Sequence, residues 1–196
     1  MAIKEEQITT VVTFLTEAGR LEQVLRAGYI GDASRHENSA EHSWQLALGM
    51  LVLACELEID IDLSKAVAMA LIHDMCEIDA GDTPIFEKRC DQLEAENRCI
   101  ERLVGYGLKF GEEMRNLWHE YEAQKTRESR WVRVMDRFLP FIGNLATQGK
   151  SWRDRSITRS QVLHINETTW ALAPEIYSWM VKRIDECVEQ GWLRDA

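Results

Sequence analysis

The chain has 196 residues, with 23 Lys and Arg against 33 Asp and Glu, and a formal net charge of −10. That length suffices for one domain with a sizeable core, so neither disulfides nor structural zinc are needed for folding. The negative field would repel a nucleic-acid polymer over most of the surface. A small phosphorylated ligand stays admissible, because a few local cations or one metal ion outweigh a distant field at close range.

The opening stretch, MAIKEEQITTVVTF, lacks a basic segment followed by an apolar one. No apolar run reaches the roughly 18–20 residues that cross a bilayer, so the expectation is a cytoplasmic protein with no membrane partner. Five cysteines, at 55, 76, 90, 99 and 187, form an odd set without a CxxC pair and read as reduced thiols, mostly core filler.

Only three prolines occur, and the glycines fall mainly at expected helix ends, which favours an all-α chain. Apolar residues at Ile8, Val11, Val12, Leu15, Leu21, Val24 and Leu25 suit one helix, or two joined near Gly19. RAGYIGDASRHEN, residues 26–38, reads as a loop. Asn38 or Ser39 can cap a helix through AEHSWQLALGMLVLACEL, in which Trp44, Leu48, Leu51 and Val52 share a face. Asp62 or Ser64 can cap the next helix, through DLSKAVAMALIHDMCEI, closed by Gly81 and Pro84. Further helices are expected at about 87–106, 111–123, 127–148 and 159–189, with TQGKSW as a break. No segment alternates convincingly as a strand.

The chemistry concentrates in ALIHDMCEIDAGD, residues 70–82, where His73 and Asp74 end an apolar run. A buried carboxylate must be paired, hydrogen-bonded or bound to a metal. Two adjacent long side chains can converge on one ion, with Glu77 one turn further along beside it. Asp136 is a second acid in apolar company, between Val132, Val134, Met135, Phe138 and Leu139; it could pair with Arg133 or Arg137, or be a ligand delivered from another helix.

The order H…HD…D resembles the HD superfamily of metal-dependent phosphohydrolases, and within it the small branch that contains 5′-deoxynucleotidases. The stretches that carry the resemblance are LEQVLRAGYI (21–30), ENSAEHSW (37–44), ALIHDMCEIDAGDTP (70–84) and LWHEYEAQKTRESRWVRVMDRF (117–138). It implies an all-α HD-domain helical bundle over 1–196, with a motif-bearing core at about 21–140, a C-terminal helical elaboration at about 150–196, and one buried divalent-metal site between helices.

Carried over by position, the resemblance implies His42, His73, Asp74 and Asp136 as ligands of one divalent ion. Such a nitrogen and oxygen set suits Mn, Co, Fe, Ni, Zn or Mg without choosing among them. The ion could hold a phosphate and lower the pKa of a bound water. Glu77 matches the family's catalytic glutamate and is assigned proton transfer. Asp82 matches an aspartate that orients water or sugar, and the two roles could be exchanged. Arg26 matches an arginine that contacts phosphate.

The branch carries Trp near that arginine, whereas here Ala27, Gly28 and Tyr29 follow, which puts base and sugar preference in question. Arg35 and His36 could face the pocket, Glu41 reads as a helix-start residue, and His119 and His164 read as bystanders. The expected function is removal of phosphate from (deoxy)nucleoside 5′-monophosphates by a homodimer. The alternatives are an HD-type phosphodiesterase acting on a cyclic nucleotide or alarmone, and a non-catalytic nucleotide-sensing module.

Overall fold

The structure, a computed structural model, describes residues 3–87 and 90–196, the side chains of Phe86 and Trp170 excepted. Helix α1 spans Glu5–Ala18 and passes at Gly19 into a 3₁₀ turn that ends at Gln23, so the expected junction near Gly19 is present.

The predicted loop at 26–38 is instead an antiparallel hairpin, β1 Leu25–Tyr29 and β2 His36–Asn38. The expectation of no strand is thereby corrected. Leu25 lies opposite Asn38 and Tyr29 opposite His36, with an irregular register between them. Segments of five and three residues are too short to display a period of two. Their pairing is set by the turn, in which Ile30 N–H reaches the Arg35 carbonyl at 3.1 Å.

Helix α2, Ser39–Glu56, starts from a capping box: the Asn38 side chain accepts the Glu41 N–H at 2.9 Å, and the Glu41 carboxylate accepts the Asn38 N–H at 3.1 Å. Its buried face carries His42, Leu46, Ala47 and Met50. Trp44, Leu48, Leu51 and Val52 do share a face, but it is the exposed one, with Trp44 64% exposed.

Helix α3, Leu63–Ile72, is capped by Asp62, whose carboxylate accepts the Lys65 N–H. The chain does not continue as one helix through Cys76. Tight turns over 73–76 separate α3 from a short α4, Glu77–Ala80, with Met75 N–H bonded to the Ile72 carbonyl and Glu77 N–H to that of Asp74. These three-residue bonds narrow the coil at His73 and Asp74.

Within the expected 87–106 segment, residues 88 and 89 lie outside the described set and α5 runs Gln92–Val104. Helix α6 is Gly111–Ala123 and α7 is Arg127–Ala146. The expected break at TQGKSW contains another helix, α8, Lys150–Asp154. Gly149, just before it, has φ +70°, and a side chain there would collide with the Trp192 carbonyl.

The expected 159–189 helix is three: α9 Arg159–Ile165, α10 Glu167–Leu172 and α11 Pro174–Glu189. Pro174 lacks an N–H and pushes Ala173 out of helical geometry.

One core cluster joins α2, α3, α6 and α7 through Leu46, Met50, Met69, Leu117, Trp118 and Val132. A second gathers Phe141, Trp152, Ile157, Val162, Met180 and Ile184, and Phe138 and Ile176 pack against both. Cys76, Cys99 and Cys187 are buried, whereas Cys55 and Cys90 are exposed. Among the described residues, no helix is long and apolar enough to cross a membrane.

Arg102 on α5 ties α1 to α4, donating to Glu17 and to Asp79 at 2.6 Å each. Burial favours the neutral acids, but the hydrogen bonds from Arg102 outweigh it and hold both carboxyls below their usual range. A lowered folded-state pKa contributes stability above the unfolded value of about 4, lost as pH falls through the folded value. Because Arg102 and Asp79 are each more than a third exposed, solvent screening limits the effect. Arg102→Ala is expected to cost about 0.5–1 kcal/mol near neutrality. In urea unfolding, its deficit against the wild type should close by about pH 2.

Candidate functional site

The capping box fixes where α2 begins, and so places His42 in its first turns, 1% exposed and pointing at α7. His42 Nε2 lies 3.0 Å from Asp136 Oδ1. On the α3 side, His73 Nδ1 lies 2.8 Å from the Ala70 carbonyl. That contact favours the tautomer in which Nδ1–H donates and Nε2 presents its lone pair.

His73 Nε2 is buried without a hydrogen-bond partner, 3.0 Å from Asp74 Oδ1 and 3.8 Å from Asp136 Oδ1. One ligand atom from each of His42, His73 and Asp74 lies within 4.8 Å of the others. An orphaned imidazole nitrogen inside a ring of imidazole and carboxylate donors fits a divalent ion of the first transition row.

Arg26 enters from β1. Its Nη1 is 2.6 Å from Asp74 Oδ2, 3.7 Å from Asp82 Oδ1 and 3.9 Å from Glu77 Oε1, and its Nε is 3.7 Å from Glu37 Oε2. Ser39 donates to Glu77 Oε2 at 2.6 Å, and the Tyr121 hydroxyl donates to Asp136 Oδ2 at 2.8 Å. The carboxyls of Glu37, Asp74, Glu77, Asp82 and Asp136 thus surround one guanidinium and two imidazoles, an excess of negative charge that a divalent cation would offset.

This crowding separates the acids. Burial disfavours charge on Asp74, yet His73 and Arg26 hold it down at about 2. Asp136 is likewise held well below the usual range, the hydrogen bond from His42 and the nearby His73 imidazole overcoming burial. Glu77 goes the other way: burial and the neighbouring Asp74 push its carboxyl well above the ordinary value, against Arg26 and Ser39. Burial also raises Asp82, and raises Glu37 to about 7, against the pull of Arg26.

Burial would lower both imidazoles. It does so for His42, whereas Asp74 and Asp136 carry His73 up to about 10, so that an ion taken up there would displace a proton from Nε2. Arg26 stays cationic because the surrounding carboxylates outweigh its burial.

All seven residues singled out in the sequence therefore meet around one centre. A cavity of about 450 Å³ opens from it, bordered by Arg26, His73, Asp74, Glu77, Asp82 and Asp136. Sequence reasoning missed Glu37, Ser39 as the Glu77 partner, and Tyr121. Glu37 and Tyr121 sit inside the stretches that carry the resemblance, but nothing in their spacing marks them.

Arg35 does not face the cavity: it pairs with Glu41 in solvent, while His36 stacks on Tyr29. Tyr29 is also turned away, donating to Asp154 at 2.8 Å beneath the Lys150 ammonium. His119 is exposed, and His164 pairs with Glu167 on the surface.

A family model described as HD domain matches residues 18–177. The chain is 33% identical to a solved structure from Magnetospirillum magnetotacticum titled a predicted metal-dependent phosphohydrolase, with a TM-score of 0.89 over 97% of both chains. It is 25% identical to the 5′-deoxynucleotidase hdd1 of Schizosaccharomyces pombe over 95% of this chain and 88% of that one. Identity to the 5′-deoxynucleotidase HDDC2 of Dictyostelium discoideum is 32%, over 67% of this chain and 74% of the relative. Against human HDDC2 the identity is 29%, and the match spans 63% of that protein's length.

The donor geometry makes a thermal prediction. Mn²⁺ or Co²⁺ at about a hundredfold excess over its Kd should stabilise the fold by about 2.7 kcal/mol, raising Tm by about 5–10 °C for a chain of this size. His73→Ala and Asp136→Ala should each abolish most of that rise in differential scanning calorimetry. A rise retained in both variants would place the ion elsewhere.

Proposed function

Since the chain belongs to the HD-domain family of metal-dependent phosphohydrolases, we propose that it removes phosphate from (deoxy)nucleoside 5′-monophosphates. The observation that carries this reading is Arg26 Nη1, 2.6 Å from Asp74 beside the imidazole pair, with Glu77 and Asp82 at the same mouth. A phosphomonoester needs its oxygens neutralised, its attacking water aligned and its leaving alkoxide protonated, and these groups supply each need. The 5′-deoxynucleotidase names of the relatives support the nucleotide.

In this reading His42, His73, Asp74 and Asp136 hold one divalent ion, which when bound supplies Lewis acidity toward phosphate and water. Tyr121 fixes Asp136 through its second oxygen, so that Oδ1 faces the imidazoles. Arg26 offers its planar donors to the phosphate oxygens once they displace its carboxylate partners. Water oxygen attacks phosphorus as the P–O ester bond breaks; the leaving alkoxide takes a proton from Glu77, and the proton that the water loses restores that carboxyl.

Glu77, whose carboxyl burial and Asp74 push well above the ordinary value, is the donor of that proton. Ser39 holds its other oxygen. Asp82, on the far side of Arg26, orients the water or the sugar. Residues 1–196 act as one HD domain in the cytoplasm, with the 150–196 segment as an elaboration of it.

The same proposal includes a homodimer. Leu48 and Leu51 of α2, whose other face is buried, and Val11, Val12 and Leu15 of α1, in which only Phe14 is buried, are all exposed aliphatics. Such faces are costly in water and suit a self-complementary contact.

Protein reconstituted with Mn²⁺, Co²⁺ or Mg²⁺ should release phosphate from deoxynucleoside 5′-monophosphates. Glu77→Gln should lower kcat by about 10²- to 10⁴-fold, and Asp74→Ala should abolish turnover. Absence of turnover with all three ions, or turnover surviving Asp74→Ala, would sink the reading. In sedimentation velocity the wild type should run as a dimer and the double variant Leu48→Asp, Leu51→Asp as a monomer. A monomeric wild type would refute the dimer.

A further inference from the structure

The cavity is larger than the ion site and has two chemically different ends. Along α7 it is bordered by Arg133, Asp136, Arg137, Pro140, Phe141 and Asn144, which share one side of the helix. Eight residues of helix separate Asp136 from Asn144, about 12 Å. The near end holds the acids and Arg26. The far end is walled by Pro140, Phe141, Trp152 and Ile165, with Arg155 and Asn166 as polar members of the same wall. A cavity bordered by acids in one part and by aromatic rings mixed with polar groups in another suits an ester whose phosphate and organic group differ in the same way.

The far end also holds an unmet hydrogen-bonding group. Among the described residues that border the cavity, three buried side-chain atoms have no hydrogen-bond partner: His73 Nε2, Arg133 Nε and Asn166 Oδ1. The first belongs to the ion site and the second lies one helical turn from Asp136. The third is at the opposite end, on a residue only 1% exposed.

Its identity as an acceptor is fixed, because Asn166 Nδ2 donates to the Val162 carbonyl at 2.8 Å and the amide cannot be reversed without losing that bond. Asn144, the other amide there, is fully committed: Nδ2 donates to the Pro140 carbonyl, and Oδ1 accepts from Ser151 Oγ and Trp152 N–H. Of these two amides, only Asn166 thus retains an unused acceptor, and a buried acceptor without a partner is retained at a cost that a bound donor removes.

We infer that the far end of the cavity is a ring-binding lobe for the nucleobase, and that Asn166 is a specificity-determining residue whose Oδ1 accepts a base N–H. The inference rests on the phosphatase reading for the identity of the other end. On this assignment α8, α9 and their connections, in the C-terminal elaboration, supply the walls that select the leaving alcohol, while the 21–140 core supplies the ion site. Base recognition thereby gains a place that Tyr29, engaged with Asp154 outside the cavity, does not fill.

The test compares kcat/KM for the four common deoxynucleoside 5′-monophosphates with that for deoxyribose 5-phosphate, which has no base. The wild type should favour at least one nucleotide over the baseless ester. In Asn166→Leu, and separately in Ile165→Phe, which narrows the lobe without touching Asn166, that ratio should fall about tenfold or more, chiefly through KM. The proposal is overturned by a ratio unchanged in both variants, or by all five esters declining together, as a purely structural role would cause. If Asn166→Leu does not fold, Ile165→Phe decides alone.

Should the wild type hydrolyse none of the five, the phosphatase reading fails and the lobe is judged by calorimetric titration with the four nucleosides. Binding by the wild type that is lost in the variants upholds it. Binding retained by the variants, or absent from the wild type, overturns it.

Discussion

Asp136 is a carboxylate carried into the interior by an otherwise apolar stretch of α7, and it must be satisfied from every side. His42 approaches Oδ1 from α2, His73 stands 3.8 Å from the same oxygen at the end of α3, and Tyr121 donates to Oδ2 from α6. Four helices are thereby held to one another by a single buried charge. An uncompensated carboxylate there would cost more than the packing around it could offset. Close approach of the helices serves the same end: a side chain at Gly49 of α2 would collide with Met135, the neighbour of Asp136 on α7.

The hairpin completes that arrangement electrostatically. Five carboxyl groups around two imidazoles would repel one another strongly, and Arg26 is delivered into their midst by β1, not by a helix. Two short strands suffice because they have only two site side chains to hold in place, Arg26 on β1 and Glu37 on β2. Their far end is pinned elsewhere, where Tyr29 meets Asp154 and Lys150 of α8. The same contact ties the N-terminal hairpin to the C-terminal segment, so the two ends of the cavity share a frame. Proline at 140 lies on that frame too: it withholds an N–H from the Asp136 carbonyl while its ring borders the cavity.

Charge sorting among the acids follows from position more than from residue type. Asp74 and Asp136 touch imidazoles and are held below the usual carboxylate range, whereas Glu77, bonded to Ser39 and pressed by Asp74, is pushed above it. Two populations of carboxyl in one site are what ligation on one side and proton transfer on the other require.

The residue order along the chain already carried the helices, the cap at Asn38 and the set His42, His73, Asp74, Glu77, Asp82, Asp136 and Arg26, because apolar periodicity and an ordered motif are local or linear signals. Short elements escaped: the hairpin is set by its own turn, the break at Ala173 by Pro174, and the start of α8 by Gly149 packed against Trp192, each too brief to leave a periodic signal. So did the face of α2 that turns to solvent, since a stripe of Trp44, Leu48, Leu51 and Val52 has the same period whether it meets a core or water. Glu37, Tyr121 and Asn166 could not be singled out either, being ordinary residues until folding removes water and leaves each with one partner, or with none. Residue order alone dictates which chemistry the chain can assemble. Which acids stay charged, and where the cavity leads, is settled by folding, because both depend on desolvation by residues far away in the chain.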